Sequence, residues 1–205
     1  LTRAVVRRTN KPVTVKTRLG WDEQSKNILE VAERLQDEGI AALSIHGRTR
    51  AQLYKGEADW TLIAAVKNNP RMHIPIFGNG DIDSPEKAIL YKNRYGVDGV
   101  MIGRAAIGYP WIFREIKHYI NTGSLLPLPT FLERLDACRT HFERSVAWKG
   151  EKVGVIEMRR HYGSYFKGIA DFKEMRNRLV TANTQEEVRL TLLELEQRFS
   201  EVAYP

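Results

Sequence analysis

Phe77-Gly78-Asn79-Gly80-Asp81 and Ile102-Gly103-Arg104-Ala105-Ala106 are two turns of the same type, about 24 residues apart. A short apolar run precedes each, Ile74-Pro75-Ile76 in one case and Gly99-Val100-Met101-Ile102 in the other, and a helical pattern follows. Glycine beside Asn, Asp or Arg at the end of a buried strand lets bare backbone amides approach an anion. The helix start behind such a turn adds partial positive charge. Either turn alone reads equally as an ordinary tight turn. The pair, in successive strand-helix units, predicts a phosphate grip of the kind built after the last two strands of a (β/α)8 barrel.

Two more strand-helix units lie upstream. Val13-Thr14-Val15-Lys16-Thr17-Arg18 alternates with a period of two, which reads as a strand. Its apolar face, Val13 and Val15 with Thr17, would meet outer helices in a barrel, leaving Lys16 inward near the C-terminal rim. Ser25–Glu38 carries a helical stripe of Ile28, Val31, Ala32 and Leu35 and is stopped by Gly39. Ala42-Leu43-Ser44-Ile45-His46 is the next strand, so His46-Gly47-Arg48-Thr49-Arg50 falls at the rim as a cationic loop. A lone histidine is most often structural; one that closes an inward face before two arginines favours a site. Asp59–Asn69 reads as a helix and Ile74–Phe77 as a strand. A helix over Ser84–Tyr95 follows, capped by Asp83 or Ser84 with Pro85 at its first position. Val97–Ile102 is the fourth strand, followed by a very short helix and a longer one over Pro110–Ile120.

Residues 1–124 therefore read as four strand-helix units. A closed barrel takes about 250 residues, so the expected fold class is α/β, the C-terminal half of a (β/α)8 TIM barrel. An open doubly wound sheet fits the alternation as well; the paired late turns favour the barrel. Residues 125–129, Leu-Leu-Pro-Leu-Pro, read as a linker, and 130–205 show no strand signal. Helical stripes at Phe131, Leu135, Cys138, Phe142 and Val146, and at Met158, Tyr162, Tyr165, Phe166 and Ile169, predict an all-α helical bundle. Thr184–Val202 is its last helix, with Thr184 and Glu187 at capping-box spacing.

Net charge is +7 and unevenly placed. Arg134–Arg178 holds 11 Lys/Arg against 6 Asp/Glu, and Thr184 to the end holds 2 against 5. A basic, aromatic-interleaved block favours a polyanionic partner. No apolar run approaches the roughly 20 residues of a membrane span, and the first residues lack the apolar core of a secretory signal. The single cysteine, Cys138, excludes an internal disulfide and fits a reducing cytoplasm. It sits within an apolar stripe and reads as packing. The chain opens on Leu1 inside a helical pattern, which is expected of a piece of a longer protein.

Lys16, His46, Arg48, Asn79, Asp81 and Arg104 come from four successive strand ends. That set suits an anionic cofactor with a heteroaromatic ring: turn amides and Arg104 on a phosphate, Lys16 and His46 as cationic donors at the ring's polar edge. There is no Gly-x-Gly-x-x-Gly fingerprint, no Walker sequence and no metal-ligand spacing.

Val15-Lys16-Thr17-Arg18, Ile45-His46-Gly47-Arg48-Thr49-Arg50, Gly78-Asn79-Gly80-Asp81-Ile82 and Met101-Ile102-Gly103-Arg104-Ala105-Ala106 resemble, in order and spacing, the signatures of the tRNA-dihydrouridine synthases, the bacterial DusB branch above all. Gly108-Tyr109-Pro110-Trp111 and the helix around Arg159-Arg160-His161-Tyr162 extend the resemblance over nearly the whole chain. It implies a barrel holding FMN, NADPH as reductant, and a helical domain gripping tRNA, whose uridine is reduced to dihydrouridine. Lys16, His46, Asn79, Gly80, Asp81, Gly103 and Arg104 would contact FMN, with Arg48 and Arg50 near the cofactor or the RNA. Arg139, Arg159, Arg160, Lys167, Arg176 and Arg178 are candidate phosphate contacts.

The family's proton-donating cysteine belongs to a loop after the fourth barrel strand, which the resemblance puts upstream of Leu1; Cys138 does not match it. The isolated chain is accordingly expected to be inactive. Other classes remain open: a barrel dehydrogenase of the dihydroorotate type, or an RNA-binding module without catalysis. An unpaired sheet flank would also favour a dimer.

Overall fold

The computed structural model describes residues 1–199. Two units divide the chain: residues 1–105 with 116–123, and residues 106–115 with those from 124 onward. Among the described residues no helix is long and apolar enough to cross a membrane.

The first unit alternates helix and strand: α1 (Thr2–Val6), β1 (Thr14–Arg18), α2 (Ile28–Asp37), β2 (Ala42–His46), α3 (Thr61–Lys67), β3 (Ile76–Asn79), α4 (Pro85–Tyr95) and β4 (Gly99–Met101). The strands form one parallel sheet in the order β1-β2-β3-β4. Leu43, Ile45 and Ile76 are fully buried, as are Ala32, Ile63, Val66 and Ala88 of the neighbouring helices. This apolar face fixes the register, because a one-residue slip would turn it outward.

Helix ends follow local chemistry. Ser84 Oγ accepts from the Lys87 N–H at 3.2 Å, Pro85 follows, and Gly96 closes α4 at φ 67°. Helix α2 starts at Ile28, three residues later than the expected Ser25. Ser25 is engaged elsewhere, donating from its N–H and hydroxyl to Asp22 at 3.0 and 2.7 Å. Strand β3 runs from Ile76 to Asn79 rather than from Ile74 to Phe77: Pro75 has no N–H to give to the ladder, and Asn79 still pairs with His46 and Met101. Gly78 thus lies inside the strand rather than in a turn. A Cβ there would stand 2.0 Å from the Trp60 ring, so glycine admits the indole that caps the sheet. Tyr91 and Tyr95 flank that indole at 5.0 and 5.5 Å.

A 3-10 turn (Arg104–Ala106) and α5 (Ile112–Thr122) follow β4. Next come α6 (Phe131–Lys149), α7 (Glu151–Tyr165), α8 (Lys173–Thr181) and α9 (Gln185–Phe199). Residues 200–202, expected to continue α9, lie outside the described residues. Helices α6 to α9 pack on a core that includes Phe131, Leu135, Cys138, Phe142, Met158, Tyr162, Leu179 and Leu192. A capping box of Thr130 and Glu133 opens α6, and Thr184 with Glu187 does the same for α9.

Candidate functional site

Parallel pairing sets Arg18 beside His46, His46 beside Asn79, and Asn79 beside Met101. Two residues earlier, Lys16 pairs with Ser44 and Ser44 with Phe77. Alternate strand positions share a face, so Lys16, Arg18, His46 and Asn79 stand on the side opposite the apolar layer. They line one cleft of about 790 Å3, together with Gly80, Asp81, Gly103 and Arg104. All seven residues expected to contact a cofactor meet there, and so does Arg48; Arg50 does not.

The centre of the cleft is an ionic knot. Asp81, in the left-handed region at φ 57°, accepts from Arg48 Nη1 and Nη2, both at 2.8 Å. It also accepts from the Ala58 N–H at 2.8 Å and Arg104 Nη2 at 2.9 Å. Burial opposes its charge, but the hydrogen bonds from Arg48 and Ala58 and the charges of Arg48 and Arg104 hold its pKa below the ordinary value. The carboxylate therefore positions two arginines rather than facing the cleft alone. Arg48 is only 2% exposed and also donates to the carbonyls of Gly56 and Lys55. Its donors are engaged inside the protein, which removes it from the free cations at the rim. Arg104 remains more than half exposed.

His46 is buried, and its pKa falls to about 4 through that burial and the charges of Arg18, Lys16 and Arg48, against a weaker opposing pull from Asp81. It stands there as a neutral ring at neutral pH, which corrects the expectation of a cationic donor. Arg48 Nη1 lies 3.5 Å from His46 Nε2, so the ring is packed against a guanidinium whose main partner is the Asp81 carboxylate. Partial desolvation, then Arg18, lowers the Lys16 pKa. Asn79 Nδ2 donates to the Met101 carbonyl at 2.7 Å, tying β3 to β4 beneath the cleft. Gly80 is at φ 129°, and a Cβ there would meet Ala58 Cβ at 2.5 Å. Gly103 differs: nothing lies within 4 Å of its Cβ position, so its open side faces free space.

Tyr54 has no signal in the sequence pattern yet belongs to the cleft. Arg18 Nη1 donates to the carbonyls of Thr49 and Leu53 at 2.8 and 3.0 Å. That holds the loop so that the Tyr54 ring lies 4.9 Å from the Arg104 guanidinium and 5.9 Å from that of Arg18. Only the fold brings a loop aromatic between these two cations.

Within the second unit, Arg159, Arg160, Lys167 and Arg176 line a groove of about 560 Å3 with Lys173, Phe166 and Phe172, and among the described residues no carboxylate lines it. Lys173 is an addition to the residues expected from the sequence. Arg139 and Arg178 are not in it; they pair with Glu196 and Glu194 of α9, each at 2.6 Å. The acidic last helix neutralises those two. Cys138 is fully buried in α6, and burial pushes its thiol pKa up. Among the described residues no cluster of three or more His, Cys, Asp or Glu could hold a metal ion.

The dihydrouridine synthase (Dus) family model matches residues 1–203. The tRNA-dihydrouridine synthase B of Pseudomonas aeruginosa is 46% identical over 185 residues, 89% of this chain and 55% of that protein. That of Xanthomonas campestris pv. campestris is 47% identical over the same shares. That of Vibrio vulnificus is 42% identical over 98% of this chain and 61% of its own. The chain spans about half the length of the curated relatives it matches. A solved mandelate oxidase with (S)-2-phenylpropionate aligns with 97% of the chain and 67% of its own at 16% identity and TM-score 0.34, too weak a likeness to carry an argument. With a match over nearly its full length and relatives above 40% identity, the chain belongs to the dihydrouridine synthase family.

Proposed function

We propose that the cleft at the strand ends holds FMN and that the chain serves the NAD(P)H-driven reduction of uridine to dihydrouridine in tRNA. In this reading the four-stranded sheet is the C-terminal half of a (β/α)8 TIM barrel, residues 130–205 are a helical bundle that grips the RNA, and the protein works in the cytoplasm. The observation that carries it is the convergence of Lys16, His46, Asn79 and Arg104 on one cleft.

The residues present suit the cofactor. The cleft has a volume in the range of cofactor sites, a few hundred to about 1,000 Å3. Arg104 keeps an exposed guanidinium, and the open side of Gly103 leaves room for a group to approach the backbone. When bound, FMN supplies the hydride chemistry. Arg104 and the backbone at Gly103 and Gly80 would hold the phosphate. Lys16 would place a positive charge beside the ring, favouring its electron-rich form. Neutral His46 would offer a ring N–H as a hydrogen-bond donor without a full charge. Asp81 keeps Arg104 aimed by holding it against Arg48.

The basic groove supports the RNA half of the reading, since phosphate contacts position a nucleic acid whatever its sequence. The one thiol, Cys138, is buried in α6 and lines no part of the cleft. We therefore expect the 205-residue chain to bind but not turn over. Membership of the family tells against the dihydroorotate-type alternative. Deleting the gene and measuring dihydrouridine in total tRNA by mass spectrometry tests the function. A loss at one or more positions, restored by the intact gene, is expected; unchanged dihydrouridine at every position contradicts it.

A further inference from the structure

Three backbone hydrogen bonds zip the loop after β1 to the loop after β2. The Leu19 N–H donates to the Arg48 carbonyl at 3.2 Å, that of Arg50 to Gly20 at 2.9 Å, and that of Ala51 to Trp21 at 2.7 Å. The first loop is braced internally by the Asp22–Ser25 hydrogen bonds and by a bridge from Gly20 to Lys26. A Cβ at Gly20 would stand 2.2 Å from the Ser25 carbonyl oxygen, so the close turn requires glycine. This fixed ledge holds Leu19 fully buried and yet presents Trp21 at 68% exposure. The Arg50 guanidinium lies 6.0 Å from the indole centroid.

A single exposed aromatic is ordinary on protein surfaces. Trp148 is more exposed still, at 82%, at the end of α6, where its sequence neighbour Lys149 lies over the ring. Trp21 differs in its scaffold: Arg48 and Tyr54 from the loop it is zipped to, and Arg18 from the strand before it, all line the cleft. We infer that Trp21 and Arg50 form a stacking platform for an unpaired nucleobase adjoining the nucleotide that enters the cleft. An indole face beside a guanidinium accepts any base without reading its edge. The substrate class is thus RNA with at least two adjacent unpaired nucleotides, the second held on the ledge while the first is drawn in. This rests on the reading of the cleft as a uridine site.

Fluorescence-anisotropy titrations test it, using wild type, Trp21→Leu and Trp21→Phe against an unmodified tRNA transcript and a fully paired RNA duplex. Trp21→Leu is expected to weaken transcript binding roughly ten-fold, with Trp21→Phe near wild type and duplex binding equal for all three. The salt slope for the transcript should not change, because no phosphate contact is lost. Transcript binding by Trp21→Leu equal to wild type, or an equal loss in both variants, overturns the platform and leaves the cleft reading standing. Wild type that binds no transcript overturns both.

Discussion

Arg48 and Asp81 meet fork to fork, each Nη atom 2.8 Å from its own carboxylate oxygen, across 33 residues of sequence. Arg48 is 2% exposed; the carbonyls of Gly56 and Lys55 take up some of its donors, and Asp81 supplies the opposite charge. Asp81→Asn keeps the shape and removes the compensation. Breaking one side of a buried pair costs about 3 kcal/mol, and chemical denaturation should show a loss of that order. An unchanged midpoint would contradict this account of the knot.

His46 gives a pH signature. Its folded pKa is about 4 against 6.5 for the free side chain. Between those values the unfolded chain binds more protons, so the contribution of His46 leaves stability flat above 6.5 and lowers it as pH falls towards 4. Burial and three neighbouring cations set the direction. Stability measured from pH 7.5 to 4.5 should fall less steeply in His46→Gln than in wild type; parallel curves would contradict it.

Two glycines separate structural from ligand-facing roles. Gly78→Ala drives a methyl into the Trp60 ring, where the vacant Cβ position is 2.0 Å from a ring carbon. Overpacking of that kind costs about 1–3 kcal/mol. Gly103→Ala meets nothing within 4 Å and should leave stability within about 0.5 kcal/mol while weakening FMN binding. Thermal melts and flavin titrations read the two effects separately, and a destabilised Gly103→Ala would undo the distinction.

In the helical unit, groove cations and paired cations should behave differently towards RNA. Removing Lys167 or Arg176 should lower the salt slope of RNA binding by about one each. Removing Arg139 or Arg178, which Glu196 and Glu194 neutralise, should leave the slope nearly unchanged. Equal effects across all four would contradict the groove.

The sequence made the four strands and their cleft-facing residues legible because strand alternation has a fixed period: Lys16 lies on the same face as Arg18, which closes β1, while His46 and Asn79 close their strands and Arg104 follows one. It could not show that Asp81 serves Arg48 and Arg104, since that knot joins three loops distant in sequence. Tyr54 was illegible for the same reason: its neighbours Arg18 and Arg104 lie 36 and 50 residues away. Charge counting gave the basic block but not which arginines the acidic α9 would neutralise. That depends on helix packing. Gly78 looked like part of a turn because its role, admitting Trp60, exists only once α3 is laid on the sheet.

The claim on which the account turns is that this cleft recognises a flavin phosphate. Calorimetric titration of the chain with FMN and with riboflavin tests it directly, because the two differ only in that group. The account predicts saturable FMN binding, tighter than riboflavin, with the difference largely abolished in Arg104→Ala. FMN that fails to saturate, or binds no more tightly than riboflavin, would contradict it.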